Sequence, residues 1–386
     1  MAASEIRKGP AAPNRFDPDP ERSYTLPAHY YVEPEIFERE KEAIFFRSWQ
    51  FAGHANELKE PGSYITTRIF DQNIGVIRGK DGAIRAFYNV CSHRGHELLK
   101  GRGKEKLIAC PYHGWTYNLD GSLFSARGTE TMKNFERKEF CLKEVRVESF
   151  LNLVFVNLDA RAPSLASQAG DMEKEIREFV PELDELKFAC RCTFDIKGNW
   201  KNVTDNFLEC YHCPIAHPAF VQMVDMDTYR TKTHGIWSSH LSRCKPPSKK
   251  TPYRYKENPE AAVACFWHLW PNLTLNIFPG RANFGIFHFV PSGPERTLET
   301  FDFYLRNATP DAEEQATIDY FEKTLNPEDF GLVESVQRGL HSRGFHQSRY
   351  VIDEGRTEVS EHALHHFHSL VLDALGDLPG QRRAAE

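Results

Sequence analysis

What this chain of 386 residues lacks already narrows its role. No window approaches the roughly 18 consecutive apolar residues of a membrane-crossing helix. The opening MAASEIRKGPAAPNRFDPDP also lacks the apolar stretch that export signals carry. Neither a membrane partner nor export is expected, and the cytoplasm is the expected compartment. Positive charge is not in excess: 48 lysines and arginines against 54 aspartates and glutamates leave a net charge of −6, with no basic field to attract nucleic acid. Nine cysteines are too few for a disulfide scaffold and read as free thiols or metal ligands. No G-x-G-x-x-G is present to bind a dinucleotide, and no internal repeat or low-complexity tract interrupts the text.

What is present suggests an α+β protein of two or three domains. The first thirty or so residues, rich in proline and charge, read as a mobile surface arm. In PEIFEREKEAIFFRSW, Phe37, Ile44, Phe45 and Trp49 recur at near-helical spacing and predict one amphipathic helix over 34–49. Short alternating runs such as IGVIRG, IRAFYNV and FLNLVFVNL, separated by Gly, Asp and Asn, predict a small all-β domain. Residues 160–190, charged and helix-prone, read as a linker or domain boundary. Longer strands (FACRCTFDI, LTLNIF, NFGIFHFV, TLETFDFYL) then mix with helices over 201–213, 311–345 and 360–375, predicting an antiparallel sheet flanked by helices. The expected boundaries are an arm and helix over 1–45 packing on the last domain, the all-β domain over 46–160, and the α+β domain over 161–386.

The first chemical constellation lies in the all-β part. CSHRGHEL holds Cys91 and His93, and CPYHGW holds Cys110 and His113, with sixteen residues between His93 and Cys110. Each pair follows a strand-like run and precedes a glycine, whose conformational freedom lets backbone amides turn toward a shared anion. Two thiolates and two imidazoles suit a [2Fe-2S] cluster, cysteines on one iron and histidines on the other. A tetrahedral zinc site is the competing reading, but zinc fingers group Cys with Cys and His with His, whereas each loop here has one of each. His96 reads as a supporting or surface histidine.

The second constellation is NWKNVTDNFLECYHCPIAHPAF. On one continuous helix His212 and His217 would point apart, so Pro214 is expected to bend or end the helix and let them converge. Two neutral histidines and a carboxylate form the facial triad of a mononuclear non-haem Fe(II). In NPEDFGLVESVQRGL, Asp329 shares a helical face with Leu332, Val333, Val336 and Leu340, where an unpaired carboxylate is costly unless a metal compensates it. Capping of a helix opened by Asn326 and Pro327 is the alternative role for Asp329. Asp205 competes as ligand but sits about 10 Å along the axis from His212, which favours a supporting catalytic role; Glu209 lies on the face of His212. The C-x2-C of Cys210 and Cys213 is discounted as a zinc or redox pair. Cys141, Cys190, Cys192, Cys244 and Cys265 read as packing residues, and HALHHFHSLV as a C-terminal docking helix, its histidines divided over several faces.

From the helix at 34–49 through both metal segments to VESVQRGLHSRGF and SEHALHHFHSLV, nearly the whole chain resembles the oxygenase component of Rieske non-haem iron oxygenases. Within that family, ECYHC-x3-HP and VESVQRGL-x-SRG resemble the branch acting on quaternary ammonium compounds such as carnitine and betaines. The resemblance implies Cys91, His93, Cys110 and His113 as cluster ligands and His212, His217 and Asp329 as iron ligands. Glu209 would bridge a cluster histidine of one subunit to the iron histidine of the next. Many ring-dihydroxylating relatives have aspartate there, so the glutamate moves the expected substrate away from arenes. The resemblance further implies a homotrimer and a flavin and iron–sulfur reductase that draws electrons from NAD(P)H.

The expected reaction is O2-dependent hydroxylation beside nitrogen, ending in N-demethylation or C–N cleavage. An aromatic-ring dioxygenase or O-demethylase is the alternative, and an electron-transfer module without catalysis the third reading. A permanent cation without N–H donors is recognised through charge and aromatic faces, which makes Tyr211, Phe266, Trp267 and Trp270 candidate substrate contacts.

Overall fold

The computed structural model describes residues 14–255 and 263–379. Two seven-stranded antiparallel sheets organise it, some strands alternating in burial and others, such as Leu153–Asn157, buried throughout. The first runs in the order Gln50–His54, Leu153–Asn157, Glu144–Phe150, Ile84–Tyr88, Gln72–Arg78, Ser63–Ile69 and Arg102–Lys104. A three-stranded sheet, Ile108–Ala109, Thr116–Tyr117 and Leu123–Ser125, accompanies it. The second large sheet is ordered Lys187–Ile196, Arg296–Leu305, Asn283–Gly293, Leu273–Ile277, Val263–Leu269, Trp237–Arg243 and Arg230–His234. The α+β expectation holds.

Helices cover this second sheet. Trp200–Phe207 begins at Asn199, whose side chain accepts from Lys201 N, satisfying one of the donors that a helix start leaves open. Asn326–Leu340 continues from Ala312–Tyr320 through a wider π turn, Phe321–Leu325. The two helices are bound together: Asn202 Nδ2 donates to Val333 O at 2.9 Å, and Asn199 N donates to Gln337 Oε1 at 2.9 Å. Their approach at Gly198 leaves no room for a side chain, since a Cβ there would meet Val333 Cγ1 at 2.8 Å. The C-terminal helix His362–Leu375 buries Phe367, Val371 and Leu372 and so docks, as expected.

Several local expectations are corrected. Residues 1–13 of the supposed mobile arm lie outside the described residues, but from Asn14 onward the arm is fixed. Thr25 N and Ala28 N donate to the carbonyls of Ser348 and His346, and Phe16, Leu26, Tyr30 and Tyr31 are buried. Its scattered apolar residues, not its prolines, decide its fate. The helix at 34–49 stops at Phe45, its last turn again a π turn, and Trp49 leads into a strand. The helix-prone 160–190 stretch does form helices, but it is packed and not a loose linker: Leu165–Ala169 and Met172–Phe179 bury Leu165, Met172 and Ile176 completely. Along Asn326–Leu340 only Val333 and Leu340 of the apolar stripe are buried, while Leu332 and Val336 are exposed.

Burial also lowers the pKa of several histidines, His54 and His240 to about 4 and His268 and His288 to about 3. Unfolded, each would take a proton near pH 6.5, before its folded form does. Their contribution to stability is therefore fully present above pH 6.5 and is lost as pH falls toward 4. Each can steepen the loss by up to about 1.4 kcal/mol per pH unit. Urea midpoints compared at pH 7 and pH 5 should drop, and substituting His240 by glutamine should flatten that drop.

Candidate metal centres

The two cysteine–histidine loops share one hydrogen-bond plan. Cys91 N donates to His96 O at 2.8 Å, and Gly95 N donates back to Cys91 O at 2.9 Å. In the second loop Cys110 N donates to Trp115 O at 2.7 Å, and Gly114 N to Cys110 O at 3.0 Å. Both glycines have positive φ, 72° and 75°, a conformation that a side chain would strain. The repeat places both cysteines inside and both histidines outside: Cys91 and Cys110 are buried, while His93 and His113 are exposed with ring centroids 4.6 Å apart. Tyr117 closes the inner side, its hydroxyl 3.2 Å from Cys91 Sγ and accepting from Ser92 N at 2.9 Å. Burial pushes the Cys91 thiol pKa up, a cost that metal coordination of the thiolate would offset. His96 is half-buried and turned to its neighbour's carbonyl, Glu97 O.

The second centre gathers His212, His217 and Asp329, whose ligand atoms all lie within 4.8 Å of one another. His212 Nε2 is 3.2 Å from His217 Nε2, and Asp329 Oδ1 is 3.0 Å from His217 Nε2 and 3.5 Å from His212 Nε2. The helix does not bend at Pro214, as the spacing had suggested. It ends at Phe207, and a separate helix, Cys213–Ala216, has His212 and His217 at its two ends and Pro214 in its first turn. Proline starts this helix because the N–H it lacks there would have had no partner. Asp329 is in the first turn of its helix without capping it, which sets aside the capping alternative.

Both outward ring nitrogens are held by carboxylates. Glu209 Oε1 pairs with His212 Nδ1, and Glu328 Oε2 lies 2.8 Å from His217 Nδ1. Each ring thus donates outward and turns its Nε2 lone pair inward, the arrangement by which carboxylates orient metal-bound histidines. Burial opposes protonation of His212, but Asp329 and Glu209 outweigh it and raise its pKa to about 10. The site is built around a positive charge, and two nitrogens with one oxygen on one side suit iron(II) with open positions. Glu328 was not among the sequence candidates; its neighbour Asp329 and the habit of pairing ligand histidines with acids were the available signals. Glu328→Gln should weaken iron retention by about 10- to 100-fold with the cluster spectrum unchanged, measured by chelator competition.

A cavity of about 110 Å³ opens on this triad, walled by Phe220, Phe266, Phe278, Phe287, Phe289 and Phe321 among others. Of the four aromatic candidates only Phe266 lines it. Trp267, next along the strand, faces the opposite side by alternation and donates Nε1–H to Glu175, while Trp270 lies past the strand end and donates to Ser48. Tyr211 is half exposed and outside the wall. Asp205 is corrected too: its carboxylate accepts from Tyr31 Oη at 2.6 Å and sits 3.0 Å from His368 Nε2, an anchor between chain ends rather than part of the centre. Cys210 and Cys213 are joined in a disulfide around Tyr211 and His212, so the discounted C-x2-C is a pair after all; the turn closed by Cys213 N to Cys210 O brings them together. Cys141, Cys190, Cys192, Cys244 and Cys265 are free thiols, buried or half-buried.

A buried-cysteine, exposed-histidine cluster fold beside an α+β domain with a two-histidine, one-carboxylate pocket defines a class. The family models agree: residues 48–136 match the Rieske [2Fe-2S] domain and residues 183–377 the ring hydroxylating alpha subunit catalytic domain. The chain belongs to the Rieske oxygenase alpha subunits, oxidoreductases whose cofactors are a Rieske [2Fe-2S] cluster and a mononuclear iron.

Within that family it is 40% identical over 367 residues to the carnitine monooxygenase oxygenase subunit of Escherichia coli K12, covering 95% of this chain and 97% of that protein. It is 32% identical over 372 residues to the chloroplastic choline monooxygenase of Beta vulgaris, covering 94% and 80%. The crystal structure of the quaternary ammonium Rieske monooxygenase CntA with an inhibitor superposes with a TM-score of 0.87 at 37% identity, over 94% of this chain and 99% of that one. No helix among the described residues is long and apolar enough to cross a membrane.

Proposed function

We propose that this protein is the oxygenase component of a two-component, cytoplasmic monooxygenase that hydroxylates a carbon bonded to the nitrogen of a quaternary ammonium substrate. His212, His217 and Asp329 would hold the mononuclear iron in the domain over 161–386, and Cys91, His93, Cys110 and His113 the cluster in the domain over 46–160. Bound there, the two groups supply single electrons and an oxygen-activating iron.

The chain's own residues do the rest. Glu209 and Glu328 fix the ring tautomers, and the phenylalanine wall excludes water and offers ring faces to a cation that has no N–H to donate. Hydroxylation beside nitrogen gives a hemiaminal, which expels the amine and leaves a carbonyl compound, so the net outcome is N-demethylation or C–N cleavage. The exposure of His93 and His113 supports a homotrimer in which this edge meets another subunit, with Glu209 as bridge, and a flavin and iron–sulfur reductase would deliver electrons from NAD(P)H. The observation that carries the reading is the phenylalanine-walled triad cavity in a chain so similar to an oxygenase subunit for carnitine.

Oxygen uptake by the reconstituted protein with a compatible reductase and NADH tests it, over carnitine, γ-butyrobetaine, glycine betaine, stachydrine, choline and simple arenes. Coupled uptake with a quaternary ammonium compound is expected, formaldehyde or trimethylamine showing which bond breaks. Coupling to arenes alone would overturn the substrate class.

A further inference from the structure

Glu299 was no candidate in the sequence and has no part in either metal centre, yet it lines the triad cavity. It sits mid-strand in Arg296–Leu305, opposite Phe289 on one neighbouring strand and Phe194 on the other, and is 4% exposed. Asn326 Nδ2 donates to its Oε1 at 3.4 Å. Asn326 is three residues before Asp329, so the carboxylate lies about one helical turn from the iron position. No lysine or arginine lines the cavity among the described residues. A carboxylate in such a place, without a cationic partner, is costly. Burial, with the charge of Asp329 behind it, raises its pKa to about 8, so near neutral pH the empty cavity favours the acid, and a cation bound beside it favours the carboxylate.

A second acceptor stands in the same wall. Asn276 is fully buried; its Nδ2 donates to Thr274 Oγ1 at 3.0 Å and Gly285 O at 3.2 Å, while its Oδ1 receives no hydrogen bond. It pairs in register with Phe266. Beside the triad, its Glu209 brace and the polar side chains of Asn206, Tyr229 and Asn326, the chamber presents a carboxyl group that a cation would hold ionised, a free carbonyl oxygen and aromatic faces. An anionic substrate would meet repulsion from the carboxylate, and a neutral one brings no charge to balance it. A trimethylammonium group, its charge spread over methyl hydrogens, answers each without needing an acceptor for a proton of its own.

We propose that Glu299 is the residue that holds the cationic head of the substrate, set beside the iron position by Asn326 and assisted by Asn276 Oδ1. The proposal rests on the quaternary ammonium reading above and adds the group that confers it. Preference for charge is then a property of one buried side chain, separate from the metal ligands.

The test compares each cation with its uncharged carbon isostere on the metal-loaded enzyme with reductase: choline against 3,3-dimethylbutan-1-ol, and γ-butyrobetaine against 5,5-dimethylhexanoate. The wild type should favour the cation. Glu299→Gln should lose about tenfold of that preference, the equivalent of one favourable charge contact, through KM with kcat within about twofold and iron and cluster contents unchanged. Glu299→Asp, which keeps the charge on a shorter arm, should fall between the two. Should the glutamine variant fail to load its metals, the aspartate variant carries the test. A preference equal to wild type in a metal-loaded variant overturns the role of Glu299 while leaving the substrate class standing. A wild type indifferent between cation and isostere overturns both.

Discussion

Replacing Asp329 by alanine is expected to abolish turnover, lowering it by more than about a thousandfold, with the cluster's visible spectrum intact. The carboxylate is the one oxygen among the gathered ligand atoms and lies within 3.5 Å of both inward nitrogens. Without it two neutral imidazoles face each other with nothing to balance a divalent ion, and the loss should exceed the 10- to 100-fold cost of removing a supporting partner such as Glu328. Because the cysteine loops extend from the first large sheet and the three-stranded sheet, away from Asp329, iron per chain should fall from three to two, read by metal analysis. A variant that keeps three irons and turns over would remove Asp329 from the ligand set.

The second large effect is on stability. Lys201 and Glu40 are both completely buried and paired at 2.5 Å, and Glu40 also accepts from Trp200 Nε1 at 2.8 Å. Asn199 Oδ1 takes another Lys201 proton at 2.8 Å, so the ammonium is well satisfied. Glu40→Ala leaves that charge buried without its counter-charge and should cost about 3–5 kcal/mol, whereas replacing both partners by apolar residues of similar volume should recover much of it. Urea unfolding of the single and double variants decides the point. If the single variant loses under about 1 kcal/mol, the pair is not acting as a buried ion pair.

Both metal constellations were legible because their chemistry demands particular residues at particular spacings. Cys91, His93, Cys110 and His113 repeat a short turn, and that turn appears twice with the same hydrogen bonds. His212, His217 and Asp329 were legible as a set, but the local geometry was not: Pro214 can break one helix or begin another, and only packing chose the second. What the sequence concealed was partnership across long separations. Glu328 meets His217 from 111 residues away. Glu299 looks like any polar residue of an alternating strand until its neighbours prove to be phenylalanines. The aromatic candidates failed for the complementary reason: Phe266 and Trp267 are adjacent, and the period of two gives only one of them to the cavity. The apolar residues of 160–190 were masked by charged neighbours that occupy the outer face of short helices.

The joint made by Asp205, Tyr31, His368 and Tyr350 bears on how the protein is manufactured. Asp205 opens the stretch that carries Glu209, His212 and His217, and it is secured by residues 174 positions earlier and 163 positions later. Tyr350 Oη closes the joint on His368 Nδ1 at 2.6 Å. Chains emerge from the ribosome N-terminus first, so His368 comes out after every residue of the triad. The segment that carries the histidines therefore gains this anchor only after all of the triad has been synthesised. A truncated product ending before His362 should keep its cluster and hold the mononuclear iron less tightly, read by metal analysis after chelator challenge.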